Sequence, residues 1–200
     1  MDRTQQTFLK FSAIFLAVWV SLVSLSLSLC FASTTTPSAQ DLAGKAVDPF
    51  QAARGKVVVL IFVRTDCPVS NRYAPAIQQL SVQHADHVAF WLVYPSKNES
   101  AEMIRKHERE FGYKFPALRD PQRVLVKMSH AQITPEAAVF NAQRRLVYHG
   151  RIDNLYEDFG HARKAPTTHE LEEAIQAALS GKTLSATQSP AVGCYISDLE

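Results

Sequence analysis

Neither sign of charge dominates this sequence: 21 Lys and Arg stand against 19 Asp and Glu, a net charge of only +2, and the basic residues are scattered rather than striped. That excludes the electrostatic footprint of a nucleic-acid binder, and no such partner is expected. Internal repeats are absent, so a stacked array of units is excluded as well. Cysteine is scarce, with only Cys30, Cys67 and Cys194. What remains is a chain of 200 residues, 46% of them hydrophobic, enough to bury one full core in one domain.

Charge is missing altogether from Phe11 to Phe31, FSAIFLAVWVSLVSLSLSLCF, which follows Arg3 and Lys10 and is about the length that crosses a bilayer. It reads as an export segment. Small residues at Cys30 and Ala32, before Ser33, suit signal-peptidase cleavage, while the long apolar run equally suits an uncleaved membrane tether through residues 11–31. Leu29 disfavours a lipoprotein at Cys30. Either way residues 1–32 are an address, residues 33–40 (STTTPSAQ) a polar linker, and the folded part is periplasmic or otherwise extracytoplasmic. Disulfides persist there, so Cys67 and Cys194, the two cysteines of the mature part, form either a structural bridge or a redox couple.

The centre of the chain is Val57 to Pro75, VVVLIFVRTDCPVSNRYAP. Its first eight residues are nearly all β-branched or aromatic, the pattern of a strand buried on both faces. Thr65-Asp66 ends the run. Cys67 is followed at once by Pro68, a residue suited to the first position of a helix because its missing N–H would have no partner there. Cys67 is therefore expected at a strand-to-helix junction, where unpaired backbone N–H groups and the helix dipole favour a thiolate. A buried cysteine is more often an inert apolar residue, but one at the open end of a sheet strand points to the rim where α/β sheets place ligands.

Around this centre, Asp41 to Gly55 reads as an irregular hairpin and Pro68 to about Gln83 as a helix bent at Pro75. Val88 to Tyr94 reads as a second core strand, and Ser100 to Phe111 as a helix turning Met103, Ile104 and His107 inward. Phe115 to Leu118 is a short extended piece, and Asp120-Pro121 opens a helix running to about Met128. Glu136 to Phe140 and Leu146 to Ile152 form a hairpin. Asp153 to Pro166 is a surface loop. A helix follows, capped by a threonine ahead of Glu170, with Leu171, Ala174, Ile175, Ala178 and Leu179 on its apolar face up to Gly181. The tail, 182–200, is polar except for Val192 to Ile196, which reads as a docking segment. Alternating strands and helices followed by a hairpin make the domain, residues 41–181, a layered α/β structure.

CPVSNRYAP, Cys67 to Pro75, resembles the active-site helix of the thioredoxin superfamily, in which a proline lies eight residues after the first cysteine of a C-x-x-C pair. ITPEAAVF (Ile133 to Phe140) is similar to that superfamily's cis-proline turn, and RLVYHGRI (Arg145 to Ile152) to its final hairpin strand. The nearest likeness is to bacterial redoxin-domain proteins of AhpC/TSA or membrane-tethered thioredoxin character. The resemblance implies a thioredoxin-like three-layer sandwich around a central mixed β-sheet. It also implies an exported thiol-dependent oxidoreductase with Cys67 as nucleophile and a cis Thr134-Pro135 bond presenting backbone to an extended substrate. Pro68 and Ser70 would lie against that substrate. Partners would be protein thiols or disulfides, or a small thiol or peroxide, with no cofactor and no metal.

This chain departs from the pattern at one position, Ser70, where the second cysteine would stand. Serine cannot resolve a mixed disulfide, so Cys194, a second protein or a small thiol must. A peroxiredoxin would carry threonine three residues before the cysteine, where Arg64 stands here. Arg64 is expected to point into the neighbouring layer, and Asp66 to raise the thiol pKa if it faces the sulfur. Copper proteins of the superfamily resemble C-x-x-x-C, and Asn71 stands where the second ligand would be. His149, His161 and His169 could share one side, although surface histidines are usually just solvated. A binding module in which Cys67 is incidental is the remaining alternative.

Overall fold

The computed structural model describes residues 38–196. The export segment, Cys30 and the last four residues lie outside the described residues. Among those described, no helix is long and apolar enough to cross a membrane.

Twelve strands and five helices alternate along the described residues. Strands β1 (Ala39–Gln40) and β2 (Ala46–Val47) form the entry hairpin, and a short helix, α1 (Pro49–Ala52), follows. Then come β3 (Val57–Phe62), α2 (Pro68–Gln83), β4 (Val88–Tyr94), α3 (Ala101–Phe111), β5 (Ala117–Arg119) and α4 (Val124–Ser129). The second half holds β6 (Ile133–Thr134), β7 (Glu136–Phe140), β8 (Leu146–Gly150), β9 (Tyr156–Asp158), β10 (His161–Ala162) and α5 (Glu170–Ser180). In the tail lie β11 (Gln188–Ser189) and β12 (Cys194–Tyr195). One sheet has the order β11-β8-β7-β3-β4-β5-β1-β2. It is mixed, with β3, β4 and β5 parallel and β7 antiparallel to β3.

Period two in β3 builds the layers. Val57, Val59 and Ile61 face a core shared with Ile77 of α2, Ile104 of α3 and Ile175 of α5. Val58, Leu60 and Phe62 face the opposite core, with Phe50 of α1 and Leu125 of α4. All six β3 side chains are buried, as a central strand covered on both faces requires. The result is the three-layer sandwich with a central mixed sheet that the motifs imply. Sealing both faces of that strand leaves only its ends for chemistry.

Several local readings need correction. Met103 is 48% exposed, because α3 buries only Ile104 and His107. Leu179 is 38% exposed near the end of α5. The helix after Asp120 starts only at Val124; the Asp120 carboxylate instead accepts from Val124 N at 2.8 Å and Val126 N at 3.0 Å, acting as a cap at a distance. No threonine caps α5. Its N-cap is His169, without a side-chain bond, since the Asn154 side-chain oxygen accepts from Thr167 N and Thr168 N and the Thr168 hydroxyl donates to Glu170 Oε1. The excursion after Asp153 contains the small β9–β10 hairpin.

Candidate active site

The site is built where β3 ends. Cys67 is itself the N-cap of α2, with extended backbone, φ −85° and ψ 111°, and Pro68 opens the helix. Its sulfur accepts from Ser70 N at 3.5 Å, taking the place of the oxygen of an ordinary N-cap. The thiol in turn donates to the Thr134 carbonyl at 3.1 Å. Thr134, the last residue of β6, precedes Pro135 through a cis peptide bond, as the motif resemblance implies, and both residues are buried.

The tail reaches the same point. β12 pairs antiparallel with β6, setting Cys194 opposite Thr134 and Tyr195 opposite Ile133. Thr134 Oγ1 donates to the Cys194 carbonyl at 3.3 Å, and Ile196 N donates to the Gln132 carbonyl at 2.8 Å. Gly193 makes the approach possible: a Cβ there would stand 2.0 Å from the Thr134 oxygen, closer than any side chain can sit. Further back, β11 pairs with β8. Both described cysteines are free thiols, and the seated tail is held by its ladder and by the burial of Ile196, 2% exposed. Ile196 enters the opposite core and Tyr195 is 57% exposed, because alternation along a strand sends neighbouring side chains apart.

Electrostatics divides the two thiols. Burial pushes the Cys67 thiol up, but the Ser70 hydroxyl, the Cys194 thiol, the Ser70 N–H and Thr134 together bring it below its ordinary value. The Ser70 hydroxyl is buried and has no other partner, so its proton is available to the thiolate. Cys194 is pushed up to about 12 by burial first, then by its hydrogen bond to Cys67 and that neighbour's charge. One sulfur is set up to ionise and the other to stay protonated.

Three features escaped the sequence. Arg64 does not enter the neighbouring layer: it folds back on Asp66 through two bonds, at 2.9 and 2.8 Å, and its charge is felt by both thiols. Buried Glu99 accepts from Thr65 N at 2.7 Å, bracing the loop before Cys67 from 34 residues away. Asn71 donates to Thr65 O at 3.2 Å and faces His107 Nε2 at 2.8 Å with its carbonyl oxygen, while His107 Nδ1 meets the Tyr94 hydroxyl at 2.8 Å. A neutral imidazole with its proton on Nε2 satisfies all three, and burial holds the His107 pKa down to about 4. The links of Glu99 to Thr65 and of Asn71 to His107 have no sequence signal, since they join residues 34 and 36 apart that only the fold brings together, whereas Arg64 and Asp66 are near neighbours in the chain.

Among the described residues, no group of three or more His, Cys, Asp or Glu side chains is placed to hold a metal ion. His149 pairs with Glu136 at 3.3 Å, His161 lies in β10 and His169 precedes α5.

A thioredoxin-like sandwich with a single thiol capping the helix after its central strand, opposite a cis-proline turn, defines the class of the molecule. Residues 32–149 match the AhpC/TSA family, and the chain belongs to that family. A hypothetical protein of Sinorhizobium meliloti and an uncharacterised conserved protein of Geobacillus kaustophilus are each similar to it with a TM-score of 0.68 at 24% identity, over 80% of this chain and 88% of theirs. A secreted Mycobacterium tuberculosis disulfide oxidoreductase is similar with a TM-score of 0.51 at 19% identity, over 71% of this chain and 96% of its own. At these identities the likeness is one of fold. No curated protein matches the chain.

Proposed function

We propose that this protein is an exported thiol–disulfide oxidoreductase in which Cys67 is the nucleophile and Cys194 resolves the mixed disulfide. Membership of a redoxin family and the fold shared with a secreted disulfide oxidoreductase support the general type. The uncharged segment 11–31 supports export. The observation that carries the reading is the seating of Cys194 opposite Thr134, whose carbonyl accepts the Cys67 thiol.

The chemistry follows from the unequal thiols. The Cys67 thiolate attacks a substrate disulfide; the Cys67–substrate S–S bond forms, the substrate S–S bond breaks, and its other sulfur leaves as thiolate with the electron pair. Cys194 then attacks Cys67 Sγ, its proton passing to the departing sulfur, so that the Cys67–Cys194 disulfide forms, the Cys67–substrate S–S bond breaks and the substrate's second sulfur leaves as a thiol. Two electrons pass from the pair of cysteines to the substrate. While Cys67 is protonated its Sγ–H is held by the Thr134 carbonyl; on ionisation the Ser70 donors take over. In this reading Thr134 and Pro135 hold the substrate backbone, with Pro68 and Ser70 beside it. With the tail seated Cys67 has no accessible surface, so the tail must lift before a substrate enters.

Non-reducing peptide mapping after mild oxidation tests the pairing. A linked peptide containing Cys67 and Cys194 is expected, and adducts on Cys67 with Cys194 left free would remove the resolving role. Peroxide consumption with a recycling dithiol separates a peroxidase from a disulfide-exchange enzyme.

A further inference from the structure

We infer that the β6 edge, once the tail has lifted, recognises an extended protein segment of the pattern Gly-Cys-x-aliphatic, so that the substrate is a protein cysteine in that setting rather than a small thiol. The inference rests on Cys67 being the nucleophile. Its basis is that the chain's own tail is a mould of whatever else can lie there.

Each position of the mould makes a distinct demand. A substrate sulfur must occupy the place now held by Cys194, and a strand that puts it there repeats the pairing with Thr134 and Ile133. The residue before the cysteine then falls where Gly193 is, and a Cβ there would stand 2.0 Å from the Thr134 oxygen, 2.8 Å from its carbonyl carbon and 3.1 Å from Ile133 Cγ2. Two of these are backbone atoms, which cannot swing aside. Glycine is therefore required. The residue after the cysteine faces solvent, as Tyr195 does at 57% exposure, and is unconstrained. The next one fills the place of Ile196, buried in the opposite core whose cluster also holds Val126 and Ala131, where burial favours an aliphatic side chain over a charged one.

Backbone ladders of this kind bind segments by strand addition, with pockets for alternate side chains setting specificity. Among the described residues β6 has no strand partner other than β12, so tail and substrate compete for one edge. That competition couples resolution to release, since the tail can bring Cys194 back to Cys67 only as the substrate strand peels away.

The test uses the full chain carrying Cys194→Ser, to remove the competing sulfur, and Gly193→Ala, to vacate the edge. Four probes are disulfides of 2-nitro-5-thiobenzoate: a blocked AVGCYISD peptide, the same peptide with alanine for glycine, the same with aspartate for isoleucine, and cysteamine. Attack by the Cys67 thiolate releases one thionitrobenzoate anion per mixed disulfide formed, which is read by absorbance. The parent peptide is expected to react about tenfold or more faster than either altered peptide, a difference of about 1.4 kcal/mol. Equal rates for the three peptides, with the cysteamine probe reactive, would overturn the segment inference and leave Cys67 as a nucleophile. No release even from the cysteamine probe would instead remove the functional reading beneath it. Repeating the series with Ile196→Ser in place of Gly193→Ala must give the same ranking, or the recognition belongs to the Gly193→Ala substitution and not to the edge.

Discussion

Thr134 and Cys194 face each other across a two-residue antiparallel ladder, and the carbonyl of the same Thr134 accepts the Cys67 thiol at 3.1 Å. One residue thus borders both cysteines.

Ser70 is expected to set the acidity of Cys67. Its buried hydroxyl and its N–H both lower the thiol pKa against the effect of burial. A hydrogen bond to a charged group contributes about 1.5–3 kcal/mol, which corresponds to about one pH unit or more. In a Cys194→Ser background, where the remaining described thiol is Cys67, Ser70→Ala should raise the midpoint of the thiolate absorbance titration by about that amount. An unchanged midpoint would show that the hydroxyl does not reach the thiolate.

Glu136 holds the edge on which the tail sits. Its Oε2 accepts from Gln132 N at 2.8 Å and Ile133 N at 3.1 Å, from a carboxylate only 7% exposed. Glu136→Ala leaves these backbone donors without that acceptor, at a cost of about 1–3 kcal/mol, visible as an earlier urea midpoint. Tail cleavage by limited proteolysis should quicken in the same variant. Loss of stability with unaltered cleavage would separate Glu136 from tail docking.

Gly150 plays the matching part for the other stitch. It adopts φ +147°, and a Cβ there would lie 2.2 Å from the Ser189 oxygen. Gly150→Ala should therefore unseat β11 and cost about 1–3 kcal/mol through backbone strain. Hydrogen exchange at His149 N, which donates to Thr187 O at 3.0 Å, is the direct measure, and it should accelerate.

His107 predicts an acid limit. Its ordinary value is 6.5 and burial lowers it to about 4 in the folded protein, so between these values the unfolded chain binds more protons. Stability must then rise with pH across that window and fall as pH drops from about 6.5 towards 4, by about 3 kcal/mol at most. His107→Gln keeps a polar side chain but does not titrate, so denaturant midpoints measured at several pH values should flatten over this window. A slope equal to that of the unaltered protein would assign the acid sensitivity to other groups.

The strand-turn-helix around Cys67 was legible in the sequence because its determinants are local. β-Branched runs make buried strands, Pro68 fits only the start of a helix, and Gly112 sits at the left-handed C-cap of α3 with φ +73°. Chain order alone, with strands and helices alternating before a hairpin, was enough for the layered class. The site beyond Cys67 depended on contacts across long stretches of chain. Nothing in the order of residues states that Glu99 will brace Thr65, that Asn71 will meet His107, or that Gly193 is there to let a backbone pass Thr134. The notable case is Cys194: its short apolar island marked it as a docking segment, but its position was decided only when β6 offered an open edge and the opposite core offered a place for Ile196. Local propensity acts over a few residues, whereas the energy of that seat comes from backbone pairing and burial that exist only once the sheet has formed.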